Sequence, residues 1–205
     1  MKKTTLALAM GLMISGAVNA ALEANIGATS NYMWRGVTQT EDGAAVSGGI
    51  DYSNDSGAYA GVWASSVDFG VASTATAEMD LYAGYSTDSY DLGVIKYLYP
   101  SERSLDFTEV YGSVTMSGIT AGVAYDPDNK NKYFSLSTEV ELTEGFGLAA
   151  TAGMYDMDAA DSDYNHITLD ISKSDFTFSL SKVFSDDSDS LNDDVIPYVS
   201  YSKTF

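Results

Sequence analysis

Nine acidic residues lie in stretches where polar and apolar side chains alternate: Glu23, Asp51, Glu78, Asp80, Asp91, Glu109, Glu139, Glu141 and Asp170. Carboxylates spaced by two on one face of successive strands line whatever that face encloses. In a narrow passage of low dielectric they concentrate cations and repel anions. Arg35 is the one basic residue that the same parity places among them, and Tyr82 joins them between Asp80 and Gly84. Two readings stay open: an ion preference, or the ordinary polar filling of a lumen, some carboxylates paired and others hydrated.

Other chemistries have little to work with. The chain has no cysteine, which removes disulfides, thiolate nucleophiles and cysteine-based metal centres. Its single histidine, His166, shares a face with Tyr164, Thr168 and Asp170, so a Ser–His–acid arrangement has to be weighed. No serine stands in a distinctive motif, and we expect no enzyme, no cofactor and no metal centre. The glycines at 43–49 open no helix, which removes a phosphate-binding reading. Asp156, Asp158, Asp161 and Asp163, and again Asp186, Asp187, Asp189, Asp193 and Asp194, cluster in two loop-like stretches. Oxygen clusters of this kind can take calcium, but neither has EF-hand spacing. Hydrated, aggregation-resistant loops are the simpler reading.

The elements that must position these residues are strands. Period two wins everywhere over the helical period. Along 22–35, Leu22, Ala24, Ile26, Ala28, Tyr32 and Trp34 face one way while Glu23, Asn25, Thr29, Asn31 and Arg35 face the other. Similar alternation predicts strands at 44–52, 58–67, 77–86, 90–99, around Glu109–Met116, 119–125, around Phe134–Leu142, 146–155, around His166–Ser172, 176–184 and 195–205. The total is twelve, an even number, as bacterial barrels require. Connections alternate in length. Those at 36–43, 68–76, 100–106, 126–131, 156–163 and 185–194 are long, and those at 53–57, 86–89, 117–118, 143–145 and 172–175 are short. A soluble sandwich has no reason to segregate turns by parity, whereas an outer-membrane barrel does.

Aromatic residues are expected to form two girdles on the apolar face. Tyr52, Tyr85, Tyr90, Phe146, Phe176 and Phe205 fall at one level, and Trp34, Tyr125, Phe134 and Phe184 at the other. Inward Tyr59, Trp63, Tyr82, Tyr97, Tyr99 and Tyr111 either pack the lumen or form a track on which sugars stack. Lys96 and Lys182 fall on the apolar face, where they either snorkel to the outer interface or are turned inward by a bulge.

The ends of the chain carry sorting information. Lys2 and Lys3, an apolar stretch over 6–14 and small residues at Val18 and Ala20 read as a signal peptide cleaved after Ala20. The remaining 185 residues hold 8 basic and 29 acidic side chains, a net charge of −21 that argues against nucleic acid. Val199, Tyr201 and Phe205 share a face and end on an aromatic, as the sorting end of an outer-membrane barrel does. Lys203 departs from that pattern.

The stretch Ser30-Asn31-Tyr32-Met33-Trp34-Arg35-Gly36-Val37-Thr38-Gln39-Thr40 resembles the TorF family of proteobacterial porins. So do Gly57-Ala58-Tyr59-Ala60-Gly61-Val62-Trp63-Ala64-Ser65-Ser66 and Glu78-Met79-Asp80-Leu81-Tyr82-Ala83-Gly84-Tyr85, with support from 92–100 and Glu109-Val110-Tyr111. The resemblance covers nearly all of the mature chain and implies an outer-membrane barrel with a pore. It brings no catalytic or ligand residues with it.

The expectation is therefore an all-β, antiparallel, up-and-down transmembrane barrel of about twelve strands over 21–205, exported to a bacterial outer membrane. It would pass small polar or cationic solutes by diffusion through a lumen lined by Glu23, Arg35, Asp51, Glu78, Asp80, Tyr82, Glu109, Glu139 and Asp170. Its partners would be outer-membrane lipid, lipopolysaccharide, the barrel-assembly machinery and the solutes. The alternative is a non-conducting structural or adhesive barrel acting through its acidic, cation-binding loops.

Overall fold

A strand with one apolar and one polar face must hide its backbone groups, and a long series of such strands can do so by closing on itself. The computed structural model describes residues 21–142, 145–159, 163–184 and 191–205, so the expected signal peptide at 1–20 lies outside it. Fourteen strands are formed: β1 (Ala21–Thr29), β2 (Met33–Trp34), β3 (Val37–Thr38), β4 (Ala45–Ser53), β5 (Ala58–Ser66), β6 (Ala77–Ser86), β7 (Tyr90–Leu98), β8 (Phe107–Met116), β9 (Ile119–Tyr125), β10 (Lys132–Glu141), β11 (Phe146–Asp156), β12 (Tyr164–Lys173), β13 (Phe176–Phe184) and β14 (Ile196–Thr204). Twelve of them, β1 and β4–β14, form one closed antiparallel barrel in sequence order, and β2–β3 is a separate hairpin. Closure is made by β1 against β14, from Asn25 opposite Thr204 to Thr29 opposite Ser200.

Parity holds around the whole ring. Leu22, Ile26, Val46, Ile50, Leu136, Leu169 and Val199 point outward and are exposed, while Glu78, Asp80, Glu109, His166, Asp170 and Ser181 point inward and are buried. This is a water-soluble protein turned inside out. In water, a continuous belt of exposed Leu, Ile, Val and Phe would be a large unprotected apolar patch. Connections at one end of the barrel are long and those at the other end are short, so the expected segregation by parity is present.

The first strand is shorter than its alternation suggests. It ends at Thr29 rather than continuing to Arg35, because Asn31 turns the chain inward. Buried Asn31 donates to Asp42 (2.8 Å) and accepts from the Thr38 hydroxyl (2.7 Å), while Thr29 Oγ1 donates to its carbonyl (2.8 Å). Residues 31–40 then fold back into the barrel as the β2–β3 hairpin. Its tip is a two-residue turn with positive φ at Arg35 (49°) and Gly36 (87°), the mirror-image turn whose twist suits a hairpin. Tyr32 and Trp34, expected on the apolar face and in the outer girdle, therefore lie inside the barrel.

The register of β5, apolar on both faces, is set by aromatic–glycine pairs. Tyr59 stands opposite Gly84, and Gly61 opposite Tyr82. A Cβ on Gly84 would lie 2.3 Å from the Tyr59 hydroxyl and 2.5 Å from the Leu92 carbonyl oxygen, so neither position admits a side chain without moving backbone or ring. The two awkward lysines snorkel. Lys96, outward beside Leu81, reaches Thr108 Oγ1 (3.1 Å) and Asp128 (3.5 Å) in the 126–131 connection. Lys182, outward beside Ile167, donates to the Asp193 carbonyl beyond the end of its strand. No bulge interrupts either strand. Lys203 also faces outward and pairs with Asp175 at the short-turn end (2.8 Å).

Of the aromatic girdles, Tyr52, Tyr85, Tyr90, Phe176 and Phe205 are exposed at the short-turn end, with Tyr85 stacked on Tyr90 at 6.2 Å. Tyr125, Phe134 and Phe184 are exposed near the long-loop end.

Candidate functional site

The lumen divides by height. Toward the long loops it is packed: Tyr32 on the hairpin and Tyr97, Tyr99, Tyr155 and Tyr164 on or beside the walls are each buried to within a few per cent, and Tyr59 is equally buried near the short turns. Toward the short turns Asn25, Asp51, Ser113, Ser137 and Glu139 are only half-buried, and Glu23 and Glu141 are exposed at the rim. The inward tyrosines thus pack the lumen rather than pave an open track.

The hairpin is the reason for the packing. Its tip residue Arg35 makes two parallel hydrogen bonds to Glu109, Nη1 to Oε1 and Nη2 to Oε2, each 2.7 Å. The two side chains are 10% and 3% exposed, so this is a buried ion pair. The guanidinium also lies over three rings, at 4.3 Å from Trp34, 4.2 Å from Tyr133 and 5.1 Å from Tyr155. Trp34 meets Tyr97, Phe107 and Tyr155 edge-on at 6.0, 6.3 and 5.7 Å. Gly36 is pressed against His166, where a Cβ would come within 2.6 Å of the histidine's own. The stem is held at the loop end, where Thr40 bridges Asp68 and Asp68 N donates to the Gln39 carbonyl (2.9 Å).

Beside this pair lie two more buried carboxylates on β6. Tyr32 Oη donates to Glu78 at 3.4 Å, and Asp80 Oδ1 has no hydrogen-bond partner among the described residues. Lower in the lumen the acids are met by tyrosines: Tyr82 donates to Asp51, and Tyr59 donates to Asp91 at 2.7 Å while touching the Tyr111 hydroxyl at 2.5 Å. Asn25 also donates to Asp51 (2.9 Å). The wall opposite is hydroxyl-rich. Ser179 donates to Asp170 (2.5 Å) and Thr168 meets Ser181 (3.0 Å), while Thr151 Oγ1 and Asp170 Oδ2 have no partner among the described residues.

The structure thus brings Arg35, Glu109, Glu78 and Asp80 into one buried group, with Asp51, Tyr82 and Asp170 lower on the walls. Glu23 and Glu139 do not join them. Glu23 sits at the short-turn rim opposite Asp51, and Glu139 is half-buried on β10. Arg35 is not on a wall strand at all; it enters the lumen from a loop. Tyr133 and Tyr155, which complete its surroundings, and Trp34 and Tyr32 on the hairpin were not foreseen as lumen residues. The one local signal that bears on them is Arg35-Gly36, a turn pair inside an alternation that otherwise runs on unbroken.

Among the described residues His166 forms no Ser–His–acid arrangement. Its Nε2 meets the Tyr133 hydroxyl at 2.9 Å, its ring stacks on Tyr133 at 5.9 Å, and Nδ1 has no partner among the described residues. The nearest acid on its face, Asp170, is bonded to Ser179 instead.

In the loops, Asp156 pairs with Lys132 (2.9 Å) and Asp158 with Lys130 (3.5 Å), while Asp163 accepts from the Met157 amide (2.8 Å). Among the described residues no group of three or more acidic or histidine side chains is arranged around a metal position. Asp161, Asp186, Asp187 and Asp189 lie outside the described residues. Glu102 clamps one connection to another, accepting from Ser73 Oγ (2.6 Å) and the amides of Thr74 (2.7 Å) and Ala75 (3.2 Å). These hydrogen bonds hold its carboxyl below the usual range. Asp128 is lowered in the same way, first by its hydrogen bond with Thr108 and then by Lys96.

The chain superposes on solved structures. A chain solved in work on the in-meso crystallization of membrane proteins superposes with a TM-score of 0.54 at 11% identity, over 90% of this chain and 83% of that one. The NanC porin gives 0.47 at 12% identity, over 90% and 98% of the two chains. A variant of the Rh. blastica porin gives 0.46 at 16%, over 78% and 55%. At these identities the first likeness speaks to the fold alone. No curated protein matches the sequence. A family model does match, over residues 15–194, and the chain belongs to the Gcw_chp family, bacterial proteins of unknown function.

Proposed function

We propose that this protein is a bacterial outer-membrane channel, exported by a signal peptide cleaved after Ala20, whose mature domain 21–205 passes small polar or cationic solutes by diffusion. One observation carries the reading: a closed sheet whose exterior is a belt of exposed Leu, Ile, Val and Phe and whose interior carries carboxylates. A sheet leaves no backbone edge in hydrocarbon only when it closes, and a polar interior inside an apolar exterior is the arrangement of an outer-membrane barrel. The resemblance to TorF-family porins supports the same reading. The long loops face outward, the short turns face the periplasm, and the β2–β3 hairpin is the constriction. Val199, Tyr201 and Phe205 are the end recognised by the assembly machinery, and lipopolysaccharide meets Lys96 and Lys182. Passage is not turnover, and no cofactor is needed.

A second reading is favoured by one specific feature, the packing of the outer half of the lumen around the hairpin. A barrel sealed there is a non-conducting structural or adhesive protein that works through its loops. Single-channel current of the refolded protein under a salt gradient separates the two. Discrete steps with a cation-signed reversal potential are expected. Silence from protein shown to be folded by heat-modifiable migration on a gel overturns the channel.

A further inference from the structure

We propose that the cage filled by Arg35 is a guanidinium-recognition site of the barrel wall, open to a solute of that class whenever the hairpin withdraws. The inference rests on the channel reading for how a solute arrives, but the site itself does not depend on it.

The recognising groups belong to the wall. Glu109 stands on β8, Tyr133 on β10 and Tyr155 on β11, and these strands are joined through β9 by continuous ladders. Arg35 arrives from elsewhere. Its strands β2 and β3 ladder only with each other, outside the barrel sheet, and apart from the stem's tie to Asp68 at the loop end the hairpin is seated in the lumen by side chains.

The geometry is selective for a planar, delocalised cation. Two parallel bonds of 2.7 Å to one carboxylate use the fork of a guanidinium, and rings at 4.2 and 5.1 Å meet its charge. An ammonium is a compact, strongly hydrated point charge and cannot make the paired bonds. Tyr97 Oη supports the carboxylate from the wall at 3.3 Å.

Charge balance favours exchange over vacancy. Among the described residues Arg35 is the only basic side chain directed into the lumen, against buried Glu78, Asp80 and Glu109. Asp80 Oδ1, on a residue 1% exposed, already lacks a partner among the described residues. Withdrawing the hairpin without replacing its charge would strand the Glu109 carboxylate in a low-dielectric interior beside two further acids. A guanidinium solute that takes the place of Arg35 removes that penalty, so the hairpin acts as a tethered occupant in competition with the solute.

The test uses the full-length refolded protein and guanidinium chloride at low concentration, with ammonium chloride as the control at equal ionic strength. Binding is read in a Trp63→Phe background by the fluorescence of Trp34, which rides on the hairpin that the solute displaces. Arg35→Ala should bind guanidinium saturably in about the millimolar range expected of so small a ligand. The response should be absent over the same range in the wild type, whose own arginine fills the cage, and about tenfold weaker in R35A/E109Q, which lacks the fork acceptor. Ammonium should give no saturable response. If R35A does not fold alone, refolding rescued by guanidinium and not by ammonium supports the site, and rescue by neither overturns it. A folded R35A that shows no saturable response, or one unchanged by E109Q or matched by ammonium, overturns it too. Saturable binding in a barrel that passes no current would sink the channel and leave the cage standing. Current without guanidinium binding would do the reverse.

Discussion

Replacing Glu109 by glutamine should unlock the hairpin. Glutamine keeps the shape of the side chain but loses its charge and offers a donor where the guanidinium needs an acceptor. Both partners are almost fully buried, at 10% and 3% exposure, so solvent screening discounts the loss very little. Breaking one side of a buried pair costs about 3–5 kcal/mol, because the remaining charge is left without compensation. Against this stand the contacts that survive. Trp34 keeps three edge-on aromatic neighbours, each worth about 0.5–1.5 kcal/mol. The two groups of contacts are comparable, so E109Q removes about half of what seats the hairpin. The withdrawn population should rise about 10²–10⁴-fold. Acrylamide quenching of Trp34 in a Trp63→Phe background measures this directly, and open probability in a planar bilayer measures its consequence. Arg35→Met added to E109Q should restore part of the loss, since no unpaired guanidinium remains. Folded E109Q with wild-type quenching, or a double variant as perturbed as the two single effects summed, would refute the reasoning.

Three further outcomes follow from local geometry. Gly84→Ala should lower the temperature of barrel unfolding by an amount equivalent to about 1–3 kcal/mol, because its Cβ would meet the Leu92 carbonyl oxygen at 2.5 Å and the Tyr59 hydroxyl at 2.3 Å; gel migration against temperature checks it. The Glu102 clamp should fail in acid: a carboxyl depressed in the folded state contributes stability above its unfolded value of 4.5, and that contribution is lost as pH falls through the lower folded value. Hydrogen exchange at the Thr74 and Ala75 amides should therefore accelerate below about pH 4, and Glu102→Gln should show the fast rate at neutral pH. Lys96→Met should change barrel stability by no more than about 1 kcal/mol, because the ammonium reaches Asp128 at 3.5 Å near the outer interface; a gain of about 2–4 kcal/mol on substitution would place that lysine at the midplane instead.

The barrel itself was legible in the chain. A period of two over nearly every element, the segregation of long and short connections and the aromatic positions are local properties, each repeated around the ring. Repetition of that kind specifies strand number, direction and facing even where one strand, such as β5, is ambiguous alone. Outward Lys96 and Lys182 were legible as a choice between snorkelling and a bulge, and long-range partners in neighbouring connections decided it. The hairpin was not legible. Tyr32 and Trp34 continue the parity of β1 without a break, and parity knows only two faces of one strand. It cannot register that the chain leaves the sheet at Asn31 and re-enters the lumen. That choice depends on groups far away in sequence: Asp42 and Thr38 for Asn31, Glu109 for Arg35, Tyr133 and Tyr155 for its charge. Short-range alternation was enough to close the sheet, but what fills it is set by a buried charge that only the closed sheet could supply with a partner.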